Sequence, residues 1–360
     1  MNKKKLVGLF SVIAILAVVL VACGKPKVEL MKDPYQKTEF HIGTICTIRV
    51  WDKDKKDAVK DAFARIAKSD KQMAVNGDGS VADKINAAAG KHPVKVPADM
   101  WPLFEKAKYY SENSGGVFDA SIGAFTNLWR IGFPDAHVPA QKEIDAAKPL
   151  VGWKQNVVLD EKNHTVFLKQ KGVRLDFGGI AKGYIADQVW QTLKKHGVTT
   201  AVIDLGGNLV VMGKSPAGKD KNWNVGIQSP TASRGDAVGY VPEQNKSIVT
   251  AGIYEKYLKT KDHTYIYLID PATGYPYENN LAGVSIISAK SVNGDALSNV
   301  AFNKGLKGGL AYMNQLHRKN GTEAIFITKD KKLYLTDGLK KTFKVDKNSG
   351  YTLGNPADAK

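Results

Sequence analysis

Cysteine is nearly absent from this chain: 360 residues hold only Cys23 and Cys46. If Cys23 is consumed in a modification, no intrachain disulfide can form, so stability must come from an ordinary core. Acidic residues are scarce beside basic ones, 35 against 52, for a formal net charge of +17. Such an excess points to nucleic acid, an anionic membrane surface or an anionic substrate. The lysines are spread along the chain and do not form arginine-rich or aromatic-interleaved runs, so no nucleic-acid partner is expected. A membrane-facing location accounts for the charge more simply. No period of repeat-protein length occurs, and no two-lobe repeat of the kind a solute receptor would need. Nor can a P-loop pattern be laid over the glycine- and lysine-bearing stretch described below.

Apolar residues make up 43% of the chain and charged residues 24%, the balance of a globular protein with room for one large domain or two ordinary ones. The one long hydrophobic run is at the start. Lys3, Lys4 and Lys5 form a basic region, residues 6–19 are almost wholly apolar, and Leu20-Val-Ala-Cys23 fits a bacterial lipobox. Residues 1–23 therefore read as a lipoprotein signal peptide ending at a lipidated Cys23. The apolar run is short for a membrane-spanning helix. Residues 24–38 read as a polar tether, and residues 39–360 as a single domain on the extracytosolic face of a cell membrane. Cys46, in a strand-like segment, reads as a small buried residue.

The chain is organised around Val173-Arg-Leu-Asp-Phe-Gly-Gly-Ile-Ala-Lys-Gly-Tyr184. It reads as a buried strand over residues 174–177, a glycine junction, and a helix with Ala181, Ile185, Val189 and Leu193 on one face. The glycines permit a tight turn or a close backbone approach. A helix N-terminus with Lys182 in its first turn suits an anion, and Asp176 adds a carboxylate at the strand end. The same pattern also fits a helix start whose glycines serve packing alone. Elsewhere, residues 40–51 and 265–269 read as strands, residues 55–73 as an amphipathic helix, and Ser80 as the cap of a helix running to Asn86. A second strand ends in paired glycines at Asp204-Leu-Gly-Gly207. This suggests either a second backbone wall around a ligand or a tight turn in an antiparallel sheet. Residues 291–304 read as a helix that puts Asp295 and Asn299 on one face, where two oxygen donors could hold a hard cation or simply meet solvent. Alternating elements imply a mixed α/β (α+β) fold, one domain with a mixed sheet and surrounding helices.

Nine segments, in order, resemble the bacterial FAD:protein FMN transferases of the ApbE family over essentially the whole mature domain. They begin with His41-Ile-Gly-Thr44, residues 80–86, Gly116-Val-Phe-Asp119 through Trp129, and Leu175-Asp-Phe-Gly-Gly-Ile-Ala-Lys-Gly-Tyr184. They continue with Asp204-Leu-Gly-Gly207, Trp223-Asn-Val-Gly-Ile-Gln-Ser-Pro230, Thr250-Ala-Gly-Ile-Tyr254, Ile269-Asp-Pro-Ala-Thr-Gly274 and Asp295-Ala-Leu297. The resemblance implies a Mg²⁺-dependent transferase that splits FAD, releases AMP and joins FMN through a phosphoester to a threonine of an extracytosolic acceptor protein. It implies Mg²⁺ ligands at the Gly179 carbonyl, Asp295 and Asn299, the last where the family usually has threonine. Flavin contacts would fall on Ile42, Asn76, Val117, Phe118, Asp119, Asp176 and Lys182. Tyr267 stands where the family has a histidine favoured as catalytic base. Either Tyr267 only positions groups and an acid such as Asp295 assists deprotonation, or its own pKa is lowered. These two departures keep alive an alternative, a lipoprotein that binds FAD without turnover.

Overall fold

The computed structural model describes residues 28–74, 79–218, 220–233 and 235–358. Residues 1–23, read above as a signal peptide ending at Cys23, and Asn76 lie outside the described residues. The frame is a nine-stranded sheet: β1 (Leu30–His41), β2 (Thr44–Asp52), β3 (Ala201–Leu205), β4 (Asn208–Met212), β5 (Lys246–Gly252), β6 (Leu281–Ser288), β7 (Glu323–Thr328), β8 (Lys332–Leu335) and β9 (Thr352–Leu353). Spatial order follows chain order. Neighbours run antiparallel except β8 and β9, which are parallel. The mixed α/β expectation holds.

Alternation along the strands sends side chains to two faces. On one face Ile48, Ile203, Val284 and Phe326 pack against helices α1 (Lys56–Met73), α2 (Ala181–Lys195), α3 (Ser291–Asn303) and α4 (Gly305–Asn320). On the other, Val202, Val211, Ile248 and Ile325 meet a three-stranded sheet of Trp223–Gln228, Ala237–Glu243 and Lys344–Val345. β6 lies between these layers and is buried at all positions, as its unbroken apolar and small residues require. Ile185, Val189 and Leu193 of α2 are fully buried, each contributing about 1.5–3 kcal/mol. Helix α3 has no cap of its own. Asp187 of α2 supplies one, its carboxylate accepting from the backbone N–H groups of Ser291 and Val292 at 2.9 and 3.1 Å. That bond pair locks α3 to α2, and the site lies along their junction.

Four local expectations need correction. Residues 30–38, read as tether, belong to the edge strand β1, paired residue by residue with β2 from Tyr35 onward. Residues 40–51 are not one strand but a hairpin turning at Ile42 and Gly43, both at positive φ (48° and 71°). Residues 174–177 form no regular strand. On one edge the backbone N–H of Leu175 donates to Asn86 Oδ1 (2.7 Å) and the Asn86 amide donates to its carbonyl (3.1 Å), a side chain in a strand's place, while the other edge makes a single parallel bridge, Arg174 to Ile122. The strand expected over residues 265–269 is shorter, Thr264–Ile266, paired with Tyr257–Lys259. The Gly206–Gly207 pair is the turn of the β3–β4 hairpin, with φ of 61° and 95°. Cys46 is fully buried, and burial pushes its thiol up to about 11. It is not a reactive nucleophile.

Candidate active site

A cavity of about 540 Å³ opens where the β1–β2 turn, the loop before Gly123–Trp129, the N-terminus of α2 and one face of α3 converge. Its base is the glycine junction. Gly178 and Gly179 are not at positive φ, so a left-handed turn is not their purpose. Close approach is. A Cβ on Gly179 would stand 3.1 Å from the Phe118 ring and 3.3 Å from Asn299 Nδ2. The following helix start brings its partial positive charge, with Lys182 in the first turn lining the same space.

Gly183 lets α2 and α3 touch, since a Cβ there would lie 2.3 Å from the Ser291 carbonyl oxygen. At that approach the Gly183 N–H donates to Asp295 Oδ2 at 2.9 Å. Asp295 is 4% exposed, and burial pushes its carboxyl above the ordinary carboxylate range, opposed by the Lys182 charge and the Gly183 N–H. One turn on, Asn299 Nδ2 donates to the Asp295 carbonyl (2.9 Å) and to the Gly179 carbonyl (3.3 Å). The three residues expected to hold a cation are thus brought together. They form an oxygen set suited to a hard cation, provided the Asn299 amide rotates to present Oδ1 where its N–H now sits. Among the described residues no three His, Cys, Asp or Glu side chains gather as a metal cluster, so such a site depends on a backbone carbonyl and an amide.

The expected ligand contacts line the same cavity, in unequal roles. Ile42 sits at its rim in a conformation β-branched residues avoid, held by its N–H donating to Asp70 Oδ2 at 2.8 Å. Val117 and Phe118 form a wall. Asp119 lines the wall, but its carboxylate is committed. Oδ1 accepts from the Ser121 N–H and hydroxyl (2.7 and 2.6 Å), and Oδ2 accepts from the Trp153 N–H (2.8 Å). It anchors the loop that carries Val117 and Phe118. Asp176 accepts from the Gly178 N–H and the Thr126 hydroxyl, both at 2.7 Å, and so holds the glycine junction in place.

Tyr267 also lines the cavity. Burial pushes its hydroxyl well above the usual tyrosine range, and the Glu255 and Asp295 charges push the same way. In the cation-free protein these surroundings favour the protonated hydroxyl, against the reading in which its pKa is lowered. His263 is engaged elsewhere, with Nε2 3.0 Å from Glu278 and its ring on Tyr265.

Several cavity residues went unnoticed in the sequence. Asn303 continues the Asp295, Asn299 series at four-residue spacing and was findable that way. Its Nδ2 donates to the Val117 carbonyl at 2.8 Å, tying α3 to the opposite wall. Asp70, Arg130, Glu255 and Lys256 carry no local signal, because only the fold brings them to the rim.

A family model described as the ApbE family matches residues 42–326. A Treponema pallidum protein named FAD:protein FMN transferase is 32% identical over 341 residues, covering 91% of this chain and 93% of its own length. A Klebsiella pneumoniae protein of the same name is 34% identical, covering 84% and 92%. Among solved structures, the Thermotoga maritima ApbE protein superposes with a TM-score of 0.77 at 26% identity, covering 85% of this chain and 98% of that one. The Pseudomonas stutzeri flavinyl transferase ApbE, apo form, gives 0.74 at 25% identity, covering 87% and 98%. The match spans the cavity from its Ile42 rim to the Asn303 end of α3, and it carries both sides of the α2–α3 junction. The chain belongs to the ApbE family.

Proposed function

We propose that the chain is an FAD:protein FMN transferase that uses Mg²⁺, attaches FMN to a threonine of an extracytosolic acceptor protein and releases AMP. The observation that carries this is the convergence of the Gly179 carbonyl, Asp295 and Asn299 beside Lys182, in one cavity of a chain related along nearly its full length to proteins of that name. In the proposed reaction the threonine hydroxyl oxygen forms a bond to the phosphorus on the FMN side of the pyrophosphate. The bridging P–O bond breaks and its electron pair leaves with AMP, while the hydroxyl proton passes to a base. A Mg²⁺ ion held by Gly179, Asp295 and Asn299 would supply neutralisation of the charge that builds on the phosphates. Lys182 and the α2 N-terminus bind and orient the same phosphates. Phe118 and Val117 offer an apolar wall to a planar ring. The acceptor provides the nucleophile, so the enzyme needs only position and charge.

Residues 3–23 support a lipid anchor at Cys23 that keeps the domain beside acceptors at the membrane surface. Two features favour the second reading, FAD binding without turnover: the surroundings of Tyr267 favour its keeping the proton a base would have lost, and Asn299 turns an N–H toward Gly179.

The deciding experiment incubates the domain with FAD, Mg²⁺ and a threonine-bearing acceptor domain. Mass spectrometry then looks for an FMN-sized addition on the acceptor and for free AMP. Both products, lost with EDTA, are expected; FAD bound but intact with acceptors modified by other family members would establish the carrier. Tyr267→Phe separates positioning from base chemistry. Transfer is expected to stay within about tenfold of the parent, below the roughly 10²–10⁴-fold that a general base contributes, and the pH profile to keep its shape. A loss of 10³-fold or more, on the scale of a lost general base, would restore Tyr267 as the base.

A further inference from the structure

Asn208 opens β4 at the exit of the Gly206–Gly207 turn and is 1% exposed. Its Nδ2 is sealed from solvent and makes no hydrogen bond of ordinary geometry among the described residues. A buried N–H donor without a full partner is costly, and an apolar side chain of the same size would remove the cost. The residues that follow in the strand, Leu209, Val210 and Val211, are apolar, so nothing in the hairpin calls for an amide here.

The sheet register explains what the amide faces. Asn208 pairs with Val249 of β5. Val249 in turn packs against Gly294 of α3, where an added Cβ would stand 3.0 Å from Val249 Cγ2. Asp295 is the next residue, and the nearby Asn208 side chain favours its charged carboxylate. That carboxylate therefore has the Gly183 N–H on Oδ2 from α2 and the Asn208 side chain nearby on the sheet side.

Resting on the reading of Asp295 as a cation ligand, we propose that Asn208 is a positioning residue: its amide and the Gly183 N–H hold the Asp295 carboxylate so that an oxygen faces the cavity. Donors behind a ligating group commonly set its affinity, and their removal costs about 10–100-fold. Asn208 does not touch the substrate.

The test measures Mg²⁺ affinity by calorimetry, with thermal melting in EDTA as a separate readout of folding. Asn208→Leu is expected to bind Mg²⁺ about 10–100-fold more weakly while still melting as a folded protein in EDTA. Asn208→Ser, which keeps a donor, is expected to recover part of the affinity. Mg²⁺ affinity within twofold of the parent in a folded Asn208→Leu protein would overturn the proposal. Should Asn208→Leu fail to fold, Asn208→Asp decides. A second carboxylate beside Asp295 should lower the melting temperature in EDTA and enlarge the gain on adding Mg²⁺. An unchanged gain would overturn the positioning role. If the parent protein itself gains nothing from Mg²⁺, the cation reading of the whole site falls with it; if the parent binds and the variants bind equally, only the role of Asn208 falls.

Discussion

Asp295→Asn is expected to abolish cation-dependent transfer while making the cation-free protein more stable. Charge neutralisation by a metal contributes several kcal/mol to phosphoryl chemistry, so activity should fall by a factor on the order of 10³ or more. The stability gain follows from the raised pKa. Asp295 is buried, and its folded-state value lies above the unfolded value of about 4. The folded protein therefore holds this proton more tightly than the unfolded chain. Stability is lost as pH rises from about 4 through the raised value, and at neutral pH the buried charge is a burden. The asparagine removes the charge and keeps the shape. Melting in EDTA at pH 7 should thus rise relative to the parent, and the parent's gain on adding Mg²⁺ should vanish. A variant that melts lower in EDTA, or still gains from Mg²⁺, would remove Asp295 from the cation site.

Gly183→Ala is expected to have a large structural effect for a single methyl group. The added Cβ would lie 2.3 Å from the Ser291 carbonyl oxygen and 2.8 Å from Asp295 Cβ, atoms that belong to a helix and cannot swing away. The α2–α3 contact must open, at roughly 1–3 kcal/mol for overpacking. Opening also strains the Asp187 bonds to the start of α3 and the Gly183 bond to Asp295. Mg²⁺ affinity and melting temperature should fall together, which calorimetry and thermal melting can follow on one sample. Gly308→Ala in α4 is the control. That glycine is exposed and its added Cβ would meet only Lys304 Cβ at an ordinary 3.6 Å, so the change should stabilise by up to about 1 kcal/mol. If both variants behave alike, the close approach at Gly183 is not what holds the site.

Much of the molecule was determined by the sequence alone, wherever the information is local. The four-residue spacing of Ile185, Val189 and Leu193 is a helix with a buried face whatever surrounds it. The same spacing carries Asp295 and Asn299 on one side of α3, and Asn303 could have been read from it. The glycines, Lys182 and Asp295 were legible as a group because order along the chain matched a family.

The tertiary structure decided the rest, because the quantities involved arise between distant segments. Asn86 supplies the hydrogen bonds of a missing strand to Leu175, 89 positions away, so an extended segment imitates a strand in sequence without becoming one. Asp119 and Asp176 are both carboxylates on the cavity wall, yet the bonds they make are set by distant partners, Trp153 and Thr126. Tyr267 looks as though it could replace a base until burial and two neighbouring carboxylates keep its proton in place. The pairing of Asn208 with Asp295 needs the β4–β5 register and the α3 packing at once. Residue type sets which bonds a side chain can make; only the packed neighbours decide which of them it does make, and so whether a carboxylate is left for a ligand.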